Sequence, residues 1–154
     1  MTDSATHTSS RVILAPPRAI FRAFMDPESV ASWRPPKGMT GKVLAFDPRV
    51  GGSYRMAFYY PDSERGRGKS TPEADHFEGC FVELLPDEKI VETVEFESDD
   101  PAFAGVMKIT TTLVPVTGGT KVTFVAENAP AGIGAAEHKA GMDSTLKNLA
   151  NFIE

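Results

Sequence analysis

Residues 134–154 carry a helical pattern. Met142, Leu146, Leu149 and Ile153 recur at spacings of four, three and four, which places them on one face. Ala135, His138 and Ala150 extend or border that face, and Glu137, Lys139, Asp143, Lys147, Asn148 and Asn151 fall mostly elsewhere. The two segments before it alternate instead. Met107, Ile109, Thr111 and Leu113 share one face of residues 106–116, and Val122, Phe124 and Ala126 share one face of residues 120–128. Lys108, Thr110, Thr112, Lys121, Thr123 and Glu127 take the opposite face. A sheet that is apolar on one side needs one cover, and the terminal helix can supply it.

Read in order, residues 1–9 are rich in Ser and Thr without a hydrophobic pattern, and the expectation is a flexible tail. Residues 10–14 form a short strand ended by Pro16 and Pro17. Pro17 suits the first turn of a helix whose apolar face is Ile20, Phe21, Phe24 and Met25. Asp26-Pro27 breaks it and opens a second short helix over 28–33, which Pro35-Pro36 stops. Strands are expected over 40–47, 53–60, 76–85 and 90–97. The turn 47–52 holds two glycines available for positive φ, and 86–89 is a hairpin turn. Residues 61–75, with Arg65, Arg67 and Lys69, form a long polar connection, either a lid or an ordinary surface loop; residues 98–105 form a second. The expected domain is residues 10–154, an α+β unit in which a strongly curved antiparallel sheet of six to seven strands wraps around the C-terminal helix.

Composition narrows the functional classes. A net charge of −5 over 154 residues argues against general nucleic-acid binding, which wants a basic face. No apolar run approaches the roughly 20 residues of a membrane span, and the first ten residues do not resemble a secretory signal. The single cysteine, Cys80, excludes an intramolecular disulfide and makes a reducing, cytoplasmic setting the default. Its neighbours Gly79 and Phe81 read as strand interior, so a buried inert thiol is expected.

The candidate chemistry is sparse. His138 lies one turn before Met142, near the inward stripe; it can contact a ligand or act as a general base, or it can be satisfied by backbone or water. His76 is expected near the mouth and His7 in the tail. No histidine or cysteine pair has metal-ligand spacing, so neither a metal nor a cofactor is expected. Glu92 shares a strand face with Ile90, Val94 and Phe96. If that face is inward, Glu92 is a carboxylate in an apolar pocket and a candidate acid or base; if Val91 and Thr93 mark the inward face, it is solvated. Tyr54 is the third candidate. Trp33, Met39, Tyr54, Met56, Phe58, Phe77, Phe81, Phe96, Met107, Ile109, His138 and Met142 are the residues expected to line a cavity, or else simply to fill the core. No catalytic nucleophile motif is present: Ser144 faces away from the His138 side, and Gly-x-Ser-x-Gly is absent.

Local sequences add a resemblance. Ala15-Pro16-Pro17-Arg18-Ala19-Ile20-Phe21, Trp33-Arg34-Pro35-Pro36, Asp47-Pro48-Arg49-Val50-Gly51-Gly52-Ser53-Tyr54, residues 79–83 with Pro86-Asp87-Glu88-Lys89-Ile90-Val91, Gly118-Gly119-Thr120-Lys121-Val122 and Glu137-His138-Lys139-Ala140-Gly141-Met142 follow one another in order. Together they resemble the Hsp90-ATPase-activator-like branch of the START/Bet v 1-type superfamily, the SRPBCC proteins. That resemblance implies a helix-grip fold with a deep, mostly apolar cavity between sheet and long helix. The superfamily uses this cavity for lipids, sterols, polyketides and aromatic compounds, some members as carriers and some as cyclases or hydrolases. At the start of the helix the family often has Gly-Trp, where this chain has Gly141-Met142. The branch is named for eukaryotic co-chaperones in which such a domain accompanies a separate N-terminal module, and no such module is expected here.

The function expected first is binding of a small hydrophobic ligand without catalysis. The alternatives are a cyclase, hydrolase or lyase using His138, Glu92 or Tyr54 in the same cavity, and an Hsp90-type chaperone partner or other interaction module. A homodimer through an edge strand or a helix is compatible with the pattern, and nothing in the sequence selects it. Leu146, Leu149 and Ile153 are expected to anchor the helix. His138, Gly141 and Met142 are expected to border the pocket, with Gly141 allowing close approach.

Overall fold

The computed structural model describes residues 5–61, 63 and 66–154; residues 1–4 of the expected tail, and positions 62, 64 and 65 of the polar loop (Arg65 among them), lie outside the described residues. Among the described residues the order is β1 (Ala5–Ile13), α1 (Pro17–Met25), α2 (Pro27–Trp33), β2 (Thr40–Phe46), β3 (Ser53–Tyr59), β4 (Ala74–Leu85), β5 (Lys89–Phe96), β6 (Met107–Val116), β7 (Gly119–Ala129) and α3 (Ala135–Ile153). A single 3-10 turn, Pro101–Phe103, interrupts the β5–β6 connection.

All strands join one antiparallel sheet in the order β1-β7-β6-β5-β4-β3-β2. Strands β2 to β7 are a simple meander, and β1 closes onto the last of them. The two short helices carry the chain from β1 at one edge to β2 at the other. Asp26 makes the break between them by capping α2, its carboxylate accepting from the Ser29 backbone N–H at 2.9 Å. Register slips between Val43 and Ala45 and between Phe81 and Glu83 bend their strands and help curve the sheet. The β2–β3 turn uses Gly51 at φ 84°, a conformation that costs other residues more.

The apolar face of α3 lies on the concave side of the sheet, with Met142, Leu146, Leu149 and Ala150 buried. Ile20, Phe24, Val30 and Trp33 from the short helices complete the same core. The Trp33 indole N–H donates to the Ala23 carbonyl at 2.9 Å, which fixes the ring across the α1–α2 corner. Burial of each large side chain here contributes about 1.5–3 kcal/mol. This is the helix-grip arrangement.

Two expectations need correction. Residues 5–9 are not a frayed tail: they are the first half of β1, paired with β7 from Ala5↔Ala129 to Ser9↔Phe124. Backbone pairing and polar contacts to α3 hold this stretch, so it needs no apolar pattern. Cys80 is not a core thiol either. Alternation along β4 sends it to the outer face, where it is half-buried and free.

Candidate functional site

Between the sheet and the first half of α3 the core is not filled. A cavity of about 520 Å³ remains there, within the size range of small-molecule sites. Much of its wall is apolar: Phe58, Phe77, Phe96, Met107, Ile109 and Met142. The first four sit on β3, β4, β5 and β6, where alternation aims them inward. Trp33, Met39 and His138 also line it. The remaining expected wall residues do not. Tyr54, Met56 and Phe81 are fully buried in the core rather than on the cavity surface. His76 is half-buried beside Tyr59, its ring edge-on at 6.3 Å.

The buried end of this space is polar. Glu92 lies on the inward face of β5 and is 1 % exposed. One of its oxygens, Oε1, accepts from the Arg34 guanidinium at 2.9 Å and from the Tyr54 hydroxyl at 2.8 Å. Arg34 also lies 3.4 Å from the Tyr54 oxygen and 5.5 Å from the centre of its ring. Glu92 and Tyr54, two of the three acid–base candidates, therefore meet. His138 does not join them; its Nδ1 is 2.6 Å from Nδ1 of His7.

Each member is placed by a specific local feature. Tyr54 stands opposite Gly79 in the β3–β4 ladder. A Cβ at position 79 would come within 2.1 Å of the Tyr54 ring. The glycine thus leaves a slot through which a tyrosine on β3 crosses β4 and reaches a glutamate on β5. Arg34 follows the last turn of α2, and side chains of α3 hold it there. Thr145 donates to the Arg34 carbonyl at 3.0 Å, Asn148 donates to the Pro35 carbonyl at 2.8 Å, and Ser144 accepts from the Lys37 N–H at 2.7 Å. Sequence reading had passed over Arg34. The signal that could have found it is Glu92 itself, because a carboxylate on an apolar face requires a cation or several donors.

The electrostatics follow from this packing. Burial works against the Arg34 charge, but the attraction and hydrogen bonds of Glu92 and Tyr54 together outweigh it and hold the guanidinium above its ordinary pKa. Burial, reinforced by the Glu92 carboxylate, pushes the Tyr54 phenol well above its ordinary value, with Arg34 acting the other way. Its proton stays on the oxygen that donates to Glu92.

A second polar cluster stands nearer the mouth. Asp75 is 5 % exposed. It accepts from the Lys69 backbone N–H at 2.7 Å on one oxygen, and from Lys69 Nζ at 3.0 Å and the Tyr60 hydroxyl at 2.8 Å on the other. Arg67 reaches across to Glu137 at the start of α3, at 3.3 Å. Both Arg67 and Lys69 line the cavity, so the connection after β3 forms part of its wall. The 98–105 connection instead packs against the segment before α3, where Gly132 N–H donates to the Ala102 carbonyl at 2.7 Å.

The His7–His138 contact joins β1 to α3. Burial, then His7 and Lys69, push the His138 imidazole down to about 4, with only Glu137 acting in the other direction. The folded state therefore takes up this proton at lower pH than the unfolded chain, whose ordinary value is 6.5. The stabilisation is complete above 6.5 and is lost as pH falls toward 4. Urea midpoints measured across that window should fall more steeply for the wild type than for His138→Gln; parallel slopes would contradict the assignment.

Gly141 lines the cavity, but it does not serve close approach. A Cβ built there meets nothing within 4 Å, so the missing side chain leaves open space instead. Gly141→Ala is expected to stabilise the fold by about 0.5–1 kcal/mol through helix propensity alone, read as a higher urea midpoint. Among the described residues, no group of three or more His, Cys, Asp or Glu side chains is placed to hold a metal ion. No helix among them is long and apolar enough to cross a membrane.

The fold and this cavity define a helix-grip protein of the SRPBCC type. The model of the family described as Activator of Hsp90 ATPase homolog 1-like protein matches residues 14–154, and the chain belongs to that family. A crystal structure from Chromobacterium violaceum is 38 % identical, with 97 % of this chain and 96 % of that one covered and a TM-score of 0.85. One from Rhizobium loti is 26 % identical over 97 % of this chain and 96 % of that one, with a TM-score of 0.75. A third, from Nitrosomonas europaea, shares the fold at 22 % identity and a TM-score of 0.71, covering 96 % of this chain and 92 % of that one. No curated protein matches the chain.

Proposed function

We propose that this protein binds a small, mostly apolar molecule in the cavity between the sheet and α3, and that it does so as a carrier or sensor rather than as a catalyst. The observation that carries this reading is the unfilled 520 Å³ behind a wall of aromatic and Met side chains. The side chain that could fill part of it is missing at Gly141, where a Cβ would meet nothing.

A thermal-shift screen with neutral apolar compounds tests the reading. A compound present at a hundredfold excess over its Kd should raise the Tm by roughly 5–10 °C. Gly141→Phe, which places a ring in the space, should keep the fold and lose that response. If no apolar compound raises the Tm, the reading fails.

The meeting of Glu92 and Tyr54 supports a second reading, acid–base catalysis in the same cavity. Against it, the Tyr54 proton is committed to Glu92, and Glu92 Oε1 is already shared between two donors. The family name also brings a chaperone partner into view. That role would be carried by an exposed surface rather than the cavity, and a pull-down with Hsp90 separates the two.

A further inference from the structure

The two polar clusters on the cavity wall differ in one respect. Asp75 has both oxygens engaged. Glu92 does not: Oε1 takes both donors, and Oε2 is buried without a partner among the described residues. The Thr111 hydroxyl is in the same condition, 0 % exposed and unpartnered. Both residues line the cavity. They do not satisfy each other. Ile90 pairs with Thr111 and Glu92 with Ile109, so Glu92 and Thr111 are diagonal neighbours on the inward face. Such diagonals stand roughly 7–8 Å apart, within reach of a long side chain, yet no hydrogen bond joins these two. Buried polar atoms in native proteins almost always have partners.

Resting on the binding reading above, we propose that the ligand is a neutral apolar molecule bearing a hydroxyl, bound with that hydroxyl between Glu92 and Thr111. The hydroxyl donates to Glu92 Oε2 and accepts from the Thr111 O–H, and the apolar body lies along the Phe and Met wall. At the buried end of the cavity the charge balance selects against an acid. Arg34 and Glu92 cancel, and a ligand carboxylate would bury a further negative charge beside one that is already paired. A carboxylate also has no proton to give Oε2.

Calorimetric titration with 2-naphthol, 2-methoxynaphthalene and 2-naphthoate tests the proposal, since the three share one apolar body. The naphthol should bind roughly tenfold tighter than the methyl ether, the usual effect of a hydrogen bond to a charged group, and the naphthoate should bind weakest. In Arg34→Met/Glu92→Met/Tyr54→Phe, which removes the polar group as a unit, naphthol and methyl ether should bind alike. Thr111→Val, a smaller change, should weaken naphthol binding, because the ligand oxygen loses its donor. If the ether binds the wild type as tightly as the naphthol, the polar gap is filled by water or left empty: the hydroxyl proposal falls and the apolar reading stands. If the naphthoate binds tightest, Arg34 governs recognition and the proposal is overturned. If none of the three binds, the cavity reading fails and this proposal with it.

Discussion

Arg34→Met should destabilise the protein by roughly 3–5 kcal/mol, because it leaves the Glu92 carboxylate buried without its cation. Glu92 is 1 % exposed and the Arg34 side chain 13 %, so water cannot replace the lost partner at little cost. The expectation for the pair differs from that for its halves. Taking two charges out of water nearly offsets their attraction, so replacing the whole group is far milder than breaking it. Arg34→Met/Glu92→Met/Tyr54→Phe should therefore recover most of the stability that the single change removes. Urea unfolding of the two variants beside the wild type measures this. A single variant within 1 kcal/mol of wild type, on the same scale, would mean that the buried pair does not hold the corner between α2 and the sheet.

Gly79→Val is expected to cost at least about 1–3 kcal/mol by overpacking, and to break the Tyr54–Glu92 bond as well. Even the first added carbon would fall 2.1 Å from the Tyr54 ring, and that ring is fully buried. The clash can be relieved from the other side. Tyr54→Ala alone leaves a hole, but combined with Gly79→Val it should cost clearly less than the sum of the two single changes. Additive costs in that double-mutant cycle would show that Gly79 does not provide the slot. The prediction is independent of any ligand.

Much of this architecture was legible in the chain. The alternation of Met107, Ile109, Thr111 and Leu113, and of Val122, Phe124 and Ala126, matches the inward faces of β6 and β7. The spacing of Met142, Leu146 and Leu149 matches the buried stripe of α3. What failed was the reading of polar residues that are held by other polar residues. Residues 5–9 looked like a tail because nothing in them is greasy. They are ordered because His7 meets His138 and Ser9 bonds Asp143, partners more than 130 residues away whose proximity no local pattern encodes. Arg34 was missed for a related reason. It follows a helix too short for a clear moment, and its segment is held by α3 side chains that bond the Arg34 and Pro35 carbonyls. The Glu92 face was ambiguous because Ile90, Val91, Glu92 and Val94 are all buried, which blurs the alternation on β5. Gly79 carried an unused clue: a glycine inside a strand marks a close approach, here by an aromatic ring.

The central claim is that the space beside α3 receives a small apolar molecule. A proton–nitrogen NMR titration of the wild type with 2-naphthol tests it most directly. The single tryptophan supplies one indole N–H, and Trp33 lines the cavity. Binding there should give saturable shifts at the Trp33 indole and at the Gly141 and Met142 amides, and these should vanish in folded Gly141→Phe. Shifts that do not saturate, that scatter over the outer face of the sheet, or that persist unchanged in Gly141→Phe would contradict it.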